Sequence, residues 1–393
     1  MLIPEAWGLH PGQDWLRGQD PEKAVEFDEE KKYWHVHRHA DVVTVLSDHE
    51  RFSAEIGRII PDYPTDSFDG DLTQMDPPKH RQLRAIASRA FTPKVVADLE
   101  PRIHRITEEL LDGVSGRDGF EFVETLAHPL PVIVIADLLG VPKSDLGLFR
   151  AWTDMAVDPP VEFSLDEETL QQYSDGYQDM NGQVVDYLRE HAADRRVNPR
   201  EDLLTRLVQA EVDGQGLNEV QLANFVMLLF VAGHITTTML LGNTILCLDA
   251  HPEEFARVRS DRSLVPAAIE EALRVLSPIT HMVRVTTVDV ELGGVTVPKD
   301  SMVALWLSAA GRDPRQFADP HRYDPLRDPN AHLAFGRGIH FCLGAPLARL
   351  EGRVALNILL DRFPKLRVDP DSVPVFKPNP AFTRLSALNL LTG

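Results

Sequence analysis

The chain has 393 residues, 43% of them apolar and 25% charged, which is the make-up of a globular protein and excludes a disordered, fibrous or low-complexity one. Sixty acidic against 40 basic residues leave a net charge of −20, an excess that speaks against nucleic acid or an anionic membrane as the main partner. Two cysteines, Cys247 and Cys342, are too few for a disulfide framework, and the opening MLIPEAWGLHPGQDW lacks the basic start and apolar run of a secretory leader, so a cytoplasmic protein is expected.

Near the start KYWHVH, residues 32–37, alternates as a strand. Helical periodicity follows over about 40–50, 77–112, 120–140, 143–158, 166–194 and 200–210. In the second of these, DPPKHRQLR places Asp76 as an N-cap and Pro77 in the first turn, so His80 and Arg84 share a face at i, i+4. Taken alone, that pair is an ordinary solvated face. Residues 151–180 hold eight acids and no Lys or Arg; a solvated surface is the first reading, and attraction for a cationic or amino-sugar-bearing ligand the second.

The next pattern, 218–251, contains no Asp, Glu, Lys or Arg from Val220 to Leu248. Its length would allow a membrane span, but Gln221, Asn224, His234, Thr236, Thr237, Thr238 and Asn243 interrupt it, so it reads as a helix buried through the middle of a large protein. Inside it lies AGHITTT, residues 232–238, in which Ala232 and Gly233 share the face of Thr236. A mid-helix threonine hydroxyl commonly bonds back to the preceding turn.

Shorter helices are expected at 253–259 and 264–276, the second carrying Glu271 and Arg274 at i, i+3 in EEALR, a surface ion pair if taken alone. TVDVELGGVTVPKDSMVALWL, residues 287–307, then offers two alternating runs turning at Gly293-Gly294 and a third strand after Pro298. A last helix spans 345–362. The expected fold is mainly α with small β-sheets (α+β), a single domain over 1–393 in which the β-rich ends meet in a small sheet beside a helical body.

FGRGIHFCLG, residues 335–344, surrounds Cys342 with glycines just ahead of that last helix. A dinucleotide fingerprint fails on spacing, because Phe341 stands where G-x-G-x-x-G needs its final glycine. Glycines let a flat cofactor approach the backbone and leave peptide N–H groups to face a sulfur, and the helix dipole favours a thiolate. A lone thiolate with no second cysteine nearby suits haem iron better than zinc or an iron–sulfur cluster.

The run Phe335, Gly336, Gly338, His340, Cys342, Leu343 and Gly344, F-G-x-G-x-H-x-C-L-G, resembles the haem-binding signature of the cytochrome P450 monooxygenases, and the resemblance extends from the His80 helix to the C-terminal strands. It implies that family's triangular helical body, with haem b (iron protoporphyrin IX) between the central helix and the cysteine-loop helix. Cys342 would ligate the iron, with Phe335, Gly336, His340 and Gly344 around it. The resemblance further implies that Glu271 and Arg274 form a buried E-x-x-R network with Arg322 of DPHRYDP, bracing the cysteine loop. His80, Arg84, Arg284 and His340 would clamp the haem propionates, while Ala232, Gly233 and Thr236 make room for dioxygen and hydrogen-bond it. By family position Leu228, Val231, Ala232, Ile279, Thr280, Met282 and Phe382 line a substrate pocket. One departure stands out: Ile235 occupies the place where Glu or Asp usually precedes the threonine, so protons must arrive through Thr236, ordered waters or a substrate hydroxyl.

The implied reaction inserts one atom of dioxygen into a C–H bond, or adds it to an alkene, of a mostly apolar small molecule such as a polyketide or other secondary metabolite. Electrons would come from a ferredoxin and an NAD(P)H-dependent ferredoxin reductase. Residues 76–105 carry seven Lys/Arg against three acids, and Arg337, Arg349 and Arg353 lie about the cysteine loop, a basic island that would steer such an acidic donor; an ordinary solvated face is the other reading. A monomer without nucleic-acid or membrane partner is expected. A haem-thiolate sensor or carrier and a peroxide-using haem enzyme remain as alternatives.

Overall fold

Thirteen helices and twelve short strands form among the residues that the computed structural model describes, 2–60, 68–157, 167–211, 214 and 216–393, side chains excepted at 90, 143, 150, 153–157 and 167–181. The first half runs β1 (Val25–Asp28), β2 (Tyr33–Val36), α1 (His39–Ser47), β3 (Phe52–Ser53), α2 (Lys79–Ala90), α3 (Pro93–Ala97), α4 (Glu100–Asp112), β4 (Gly119–Glu121), α5 (Pro129–Leu139), α6 (Leu146–Val157), α7 (Glu167–Val197) and α8 (Leu203–Gln209). The second runs α9 (Glu219–Asp249), α10 (Pro252–Ser260), α11 (Val265–Val275), β5 (Met282–Thr286), β6 (Val290–Leu292), β7 (Val295–Val297), β8 (Met302–Leu305), α12 (Leu307–Ala310), α13 (Ala345–Arg362), β9 (Arg367–Val368), β10 (Val375–Phe376), β11 (Leu385–Ala387) and β12 (Asn389–Leu391).

Prolines cut two of the expected helices. The pattern over 77–112 becomes α2, α3 and α4, because Pro93 and Pro101 lie in the first turns of α3 and α4 and cannot donate to a continuing ladder. Over 120–140 the chain leaves β4 through a π turn (Val123–Ala127) before Pro129 opens α5. Asp76 does not cap α2 with its side chain. Its carboxylate instead accepts the Ser53 hydroxyl and the Ala54 N–H, pinning the end of β3, and the helix starts at Lys79.

The main sheet has the order β1-β2-β8-β5-β3, with β2 parallel to β8 and the remaining pairs antiparallel. β6 and β7 form the hairpin read from the sequence, its turn made by Gly293 (φ +57°) and Gly294 (φ +87°), as a two-residue turn of this hand requires. The β-rich pieces read near the two ends do share this sheet, through the β2–β8 pair, and the chain ends touch as well. Trp7 stacks on Phe376 at 5.9 Å and Gln13 donates to the Pro380 carbonyl at 3.1 Å, while β12 pairs with β4 and β9.

At the centre runs α9. Its start is fixed by reciprocal capping, Asn218 Oδ1 accepting the Gln221 N–H at 2.8 Å and Gln221 Oε1 accepting that of Asn218 at 3.1 Å. Long and apolar enough to cross a membrane, the helix has 67% of its most apolar window buried inside the protein. Packing by α5, α7, α11 and α13 from different sides explains why it carries no polar stripe.

The last piece of architecture is a buried charge network under the cysteine loop. Glu271 is 0% exposed and takes five donors: Nε and NH2 of Arg274 at 2.8 and 2.7 Å, Nε of Arg327 at 3.1 Å, the Asn330 amide at 3.0 Å and the Asp324 N–H at 3.0 Å. Arg274 spends its other hydrogens on the carbonyls of Gly311, Pro320 and Arg322. The expectation for Arg322 is therefore corrected. Only its backbone carbonyl joins the network, its side chain being 61% exposed and near Glu254, and Arg327 is the arginine that reaches Glu271. Loop geometry decides this: the turn at 319–322 directs the Arg322 side chain outward, and the chain has come round to Glu271 by Arg327. Arg327→Ala is expected to cost about 3 kcal/mol, since it leaves a buried carboxylate undercompensated. Arg322→Ala should cost under about 1 kcal/mol, and denaturant titration of the two variants side by side distinguishes them.

Candidate active site

From the Glu271 network the chain passes directly into the cysteine loop. His39 Nε2 bonds the Ala331 carbonyl at 2.9 Å, Gly336 N–H donates to Leu333 and Cys342 N–H to Phe335, at 2.8 and 2.9 Å. Gly336 (φ +68°) and Gly338 (φ +73°) are both left-handed. At Gly338 a Cβ would lie 2.5 Å from the Leu46 carbonyl oxygen at the end of α1, so the loop closes on α1 only with glycine there.

Cys342 sits at the N-terminus of α13. Burial pushes its thiol up from the ordinary value, and the backbone N–H groups of Gly344 and Ala345, together with the charges of Arg84 and Arg349, pull the other way. Burial prevails, so the free thiol is raised, while two peptide donors, a helix N-terminus and two nearby cations favour the thiolate that a metal ligand must be. Cys247, by contrast, is fully buried in α9, where burial pushes its thiol up to about 12.

Beside the loop, four basic side chains from three separate elements converge. The rings of His80 (α2) and His340 approach to 4.3 Å between centroids. Arg84 donates to the Phe341 carbonyl at 2.6 Å, and Arg284 (β5) is 4% exposed. Burial, then the charges of Arg284, His80 and Arg84, hold His340 down at about 3, and burial brings Arg284 down to about 10. Nε2 of His80 and Nε2 of His340 are buried without a hydrogen-bond partner. Two arginine charges beside two orphaned imidazole nitrogens call for an anion. Two carboxylates on a flat, apolar cofactor bound through Cys342 meet that need, so these residues fit haem.

On α9, burial is broken along one stripe. Ala232 is exposed and Leu228, Val231 and Thr236 are partly so, within a helix otherwise largely buried; the spacing of four places Leu228, Ala232 and Thr236 on one face. Thr236 Oγ1 donates to the Ala232 carbonyl at 2.6 Å. Its single proton is therefore committed to the helix until another acceptor replaces that carbonyl.

Ile235 is 5% exposed and packs with Met239, Val231 and Phe382. The position where an acid was expected is thus part of an apolar contact between the central helix and the C-terminal loop. Phe382 pairs by its backbone with Ile279. Met282 faces the cysteine loop, its Sδ 3.9 Å from where a Gly336 Cβ would stand. Thr280 departs from its expected place as a lining residue. It is 0% exposed, its hydroxyl donates to the Pro380 carbonyl and its N–H to that of Ala381. Buried polar groups take the nearest backbone partner, and Thr280 is a clasp for the loop that carries Phe382. Asn243 ties the same loop to α9, donating to Thr383 Oγ1 at 2.8 Å and to the Leu276 carbonyl at 2.9 Å.

The basic island is partly spent inside the protein. Arg102 pairs with Asp137, Arg349 with Glu270 and Arg353 with Glu100, while Arg89 donates to the Glu211 carbonyl. Lys79, Arg81, Lys94, Arg105 and Arg337 stay exposed. The acidic segment 151–180 falls almost wholly outside the residues whose side chains are described. Sequence reasoning missed Arg327, Asn330 and the packing of Ile235 on Phe382. None has a local signature, since each is defined by a partner at least 50 residues away.

A family model for cytochrome P450 matches residues 148–391. The erythromycin C-12 hydroxylase of Saccharopolyspora erythraea is 44% identical over 361 residues, 91% of this chain and 88% of that protein. Cyclomarin C epoxidase CymV of Salinispora arenicola is 42% identical over 375 residues, 94% and 93% of the two chains. Among solved structures, HmtT, involved in himastatin biosynthesis, superposes with a TM-score of 0.90 at 52% identity, covering 100% of both chains. Likeness of this extent, in sequence and in fold, leaves one assignment: the chain belongs to the cytochrome P450 family and is a haem monooxygenase.

Proposed function

We propose that this protein oxidises a mostly apolar small molecule of bacterial secondary metabolism, by hydroxylation or epoxidation, with haem b held at Cys342. Its named relatives are a hydroxylase for erythromycin and an epoxidase for cyclomarin C, and a similar structure belongs to himastatin biosynthesis. The observation that carries the reading is the pairing of a donor-lined sulfur with two arginines and two unpartnered histidine nitrogens, a candidate thiolate site beside a candidate dicarboxylate site. When bound, the haem supplies dioxygen binding and the oxidising power for oxygen insertion.

The protein's own groups do the rest. Gly344 and Ala345 N–H groups would stabilise the Cys342 thiolate once it holds the iron, while His80, Arg84, Arg284 and His340 would orient the cofactor by its carboxylates. The stripe Leu228, Val231 and Ala232, with Ile279, Met282 and Phe382, excludes water and presents apolar surface to the substrate. Thr236 would hold a proton on the open face of α9, its hydroxyl turning from the Ala232 carbonyl to an acceptor in the site. Ile235 cannot relay protons, so they reach Thr236 through water or a substrate hydroxyl. A peroxide-using enzyme would need no such relay, and support of turnover by hydrogen peroxide alone would reveal it.

We take residues 1–393 as one cytoplasmic, monomeric domain that receives electrons from a ferredoxin and its NAD(P)H-dependent reductase. The exposed cations Lys79, Arg81, Lys94, Arg105 and Arg337 support docking of an acidic donor.

Three outcomes test the proposal. The reduced, CO-bound protein gives a thiolate-type haem spectrum, and Cys342→Ala abolishes it; a colourless wild type, or an unchanged spectrum in the variant, overturns the assignment. Thr236→Ala lowers product per NAD(P)H by about tenfold, the scale of one lost hydrogen bond in a barrier, with peroxide rising to match. Reduction by ferredoxin slows severalfold between about 0.05 and 0.5 M salt, and a flat profile counts against the basic docking face.

A further inference from the structure

Phe335, the first residue of the cysteine loop, is held by both its backbone and its ring. Its carbonyl accepts the Cys342 N–H at 2.9 Å. Over its ring lies Arg349 of α13, the guanidinium carbon 4.4 Å from the centroid, within range of a cation–π attraction. Arg349 has little freedom to leave. Its Nε and NH2 donate to the two oxygens of Glu270, each at 2.7 Å, in a planar two-point clasp.

Glu270 is itself anchored. His332 Nε2 donates to it at 3.0 Å, and His332 Nδ1 accepts the Ala334 N–H at 3.2 Å, which places the histidine proton on Nε2. Burial would push the Glu270 carboxyl up, but the hydrogen bonds from Arg349 and His332 prevail and hold it at about 2, so the clasp stays ionised. The His332 ring also lies 6.0 Å from that of Phe335. Three elements, α11, the entry to the cysteine loop and α13, are thus joined around one aromatic ring whose backbone bonds the cysteine.

We propose that Arg349, clasped by Glu270, is a positioning residue that acts through the Phe335 ring and the Cys342 sulfur to set how readily the haem-loaded protein accepts an electron. The inference rests on the haem–thiolate reading above. A reduced site carries one more negative charge, and a cation fixed over the Phe335 ring of the cysteine loop, in part-buried surroundings, stabilises it. Removing the cation makes reduction harder. Lysine would keep the charge without the planar fork, so it would retain only part of the effect.

The experiment is an electrochemical titration of the haem-loaded, substrate-free protein as wild type, Arg349→Met, Arg349→Lys and Arg353→Met, with CO-bound ferrous spectra recorded alongside. Arg353 lies one turn further along α13, pairs with Glu100 at 2.7 Å and serves as the charge-matched control. At the wild-type midpoint the ferrous-to-ferric ratio should fall about tenfold in Arg349→Met, a displacement of about 59 mV for a one-electron couple. Arg349→Lys should fall between that variant and wild type, and Arg353→Met should change the ratio less than about twofold, as expected for a screened surface charge. An unmoved midpoint in Arg349→Met, or equal shifts in Arg349→Met and Arg353→Met, overturns the inference while leaving a thiolate-type wild-type spectrum intact. A wild-type spectrum without the thiolate signature removes this inference together with its parent. Should Arg349→Met not fold, an unmoved midpoint in Arg349→Lys overturns it in the same way.

Discussion

A carboxylate cannot remain charged at zero exposure unless nearly every lone pair is matched, and Glu271 meets that condition with five donors drawn from α11 and from residues 324–330. The consequence is geometric. To deliver Asp324, Arg327 and Asn330 to one point on α11, the loop after β8 has a single path, and Arg274 fixes the preceding turn by taking the carbonyls of Gly311, Pro320 and Arg322. Because Asn330 lies just ahead of the cysteine loop, that buried charge anchors the entry to the loop, and His39 on Ala331 and Arg84 on Phe341 hold it further along.

Everything at the site is then a matter of which polar groups are satisfied within the protein and which are not. Glu270, Arg349 and His332 close on one another, and Thr280, Thr383 and Asn243 lock the C-terminal loop to α9. His80 and His340 keep an unmatched buried nitrogen each, in a neighbourhood already positive through Arg84 and Arg284. Two such nitrogens on neighbouring rings, with two arginines beside them and the cysteine loop adjoining, mark where an anionic group belongs. The apolar equivalent is the stripe on α9, where small and partly exposed residues interrupt a helix otherwise packed on its other sides.

The same distinction explains the role of Ile235. An acid there would need either solvent or a cationic partner, and the observed neighbours, Met239, Val231 and Phe382, are all apolar. The chain has exchanged a charged relay for a hydrophobic contact that joins the central helix to the loop bearing Phe382. Next in sequence stands Thr236, its proton held by the Ala232 carbonyl, so the two positions share one stretch of helix.

What could be read from the residues alone was what local chemistry determines. Apolar periodicity and the lack of charge marked α9, paired glycines marked the β6–β7 turn, and the resemblance of Phe335, Gly336, Gly338, His340 and Cys342 to the P450 signature marked the cysteine loop, in which the two left-handed glycines have a local backbone reason. Spacing also placed His80 and Arg84 on one helical face. Which arginine completes the Glu271 network, whether Thr280 meets substrate or backbone, and how many of the cations near Cys342 are already paired depended on the path of loops whose contacts join residues 50 or more positions apart. Such choices follow from the burial of each polar group and the partners that burial leaves within reach, and those partners are known only once the whole chain has folded.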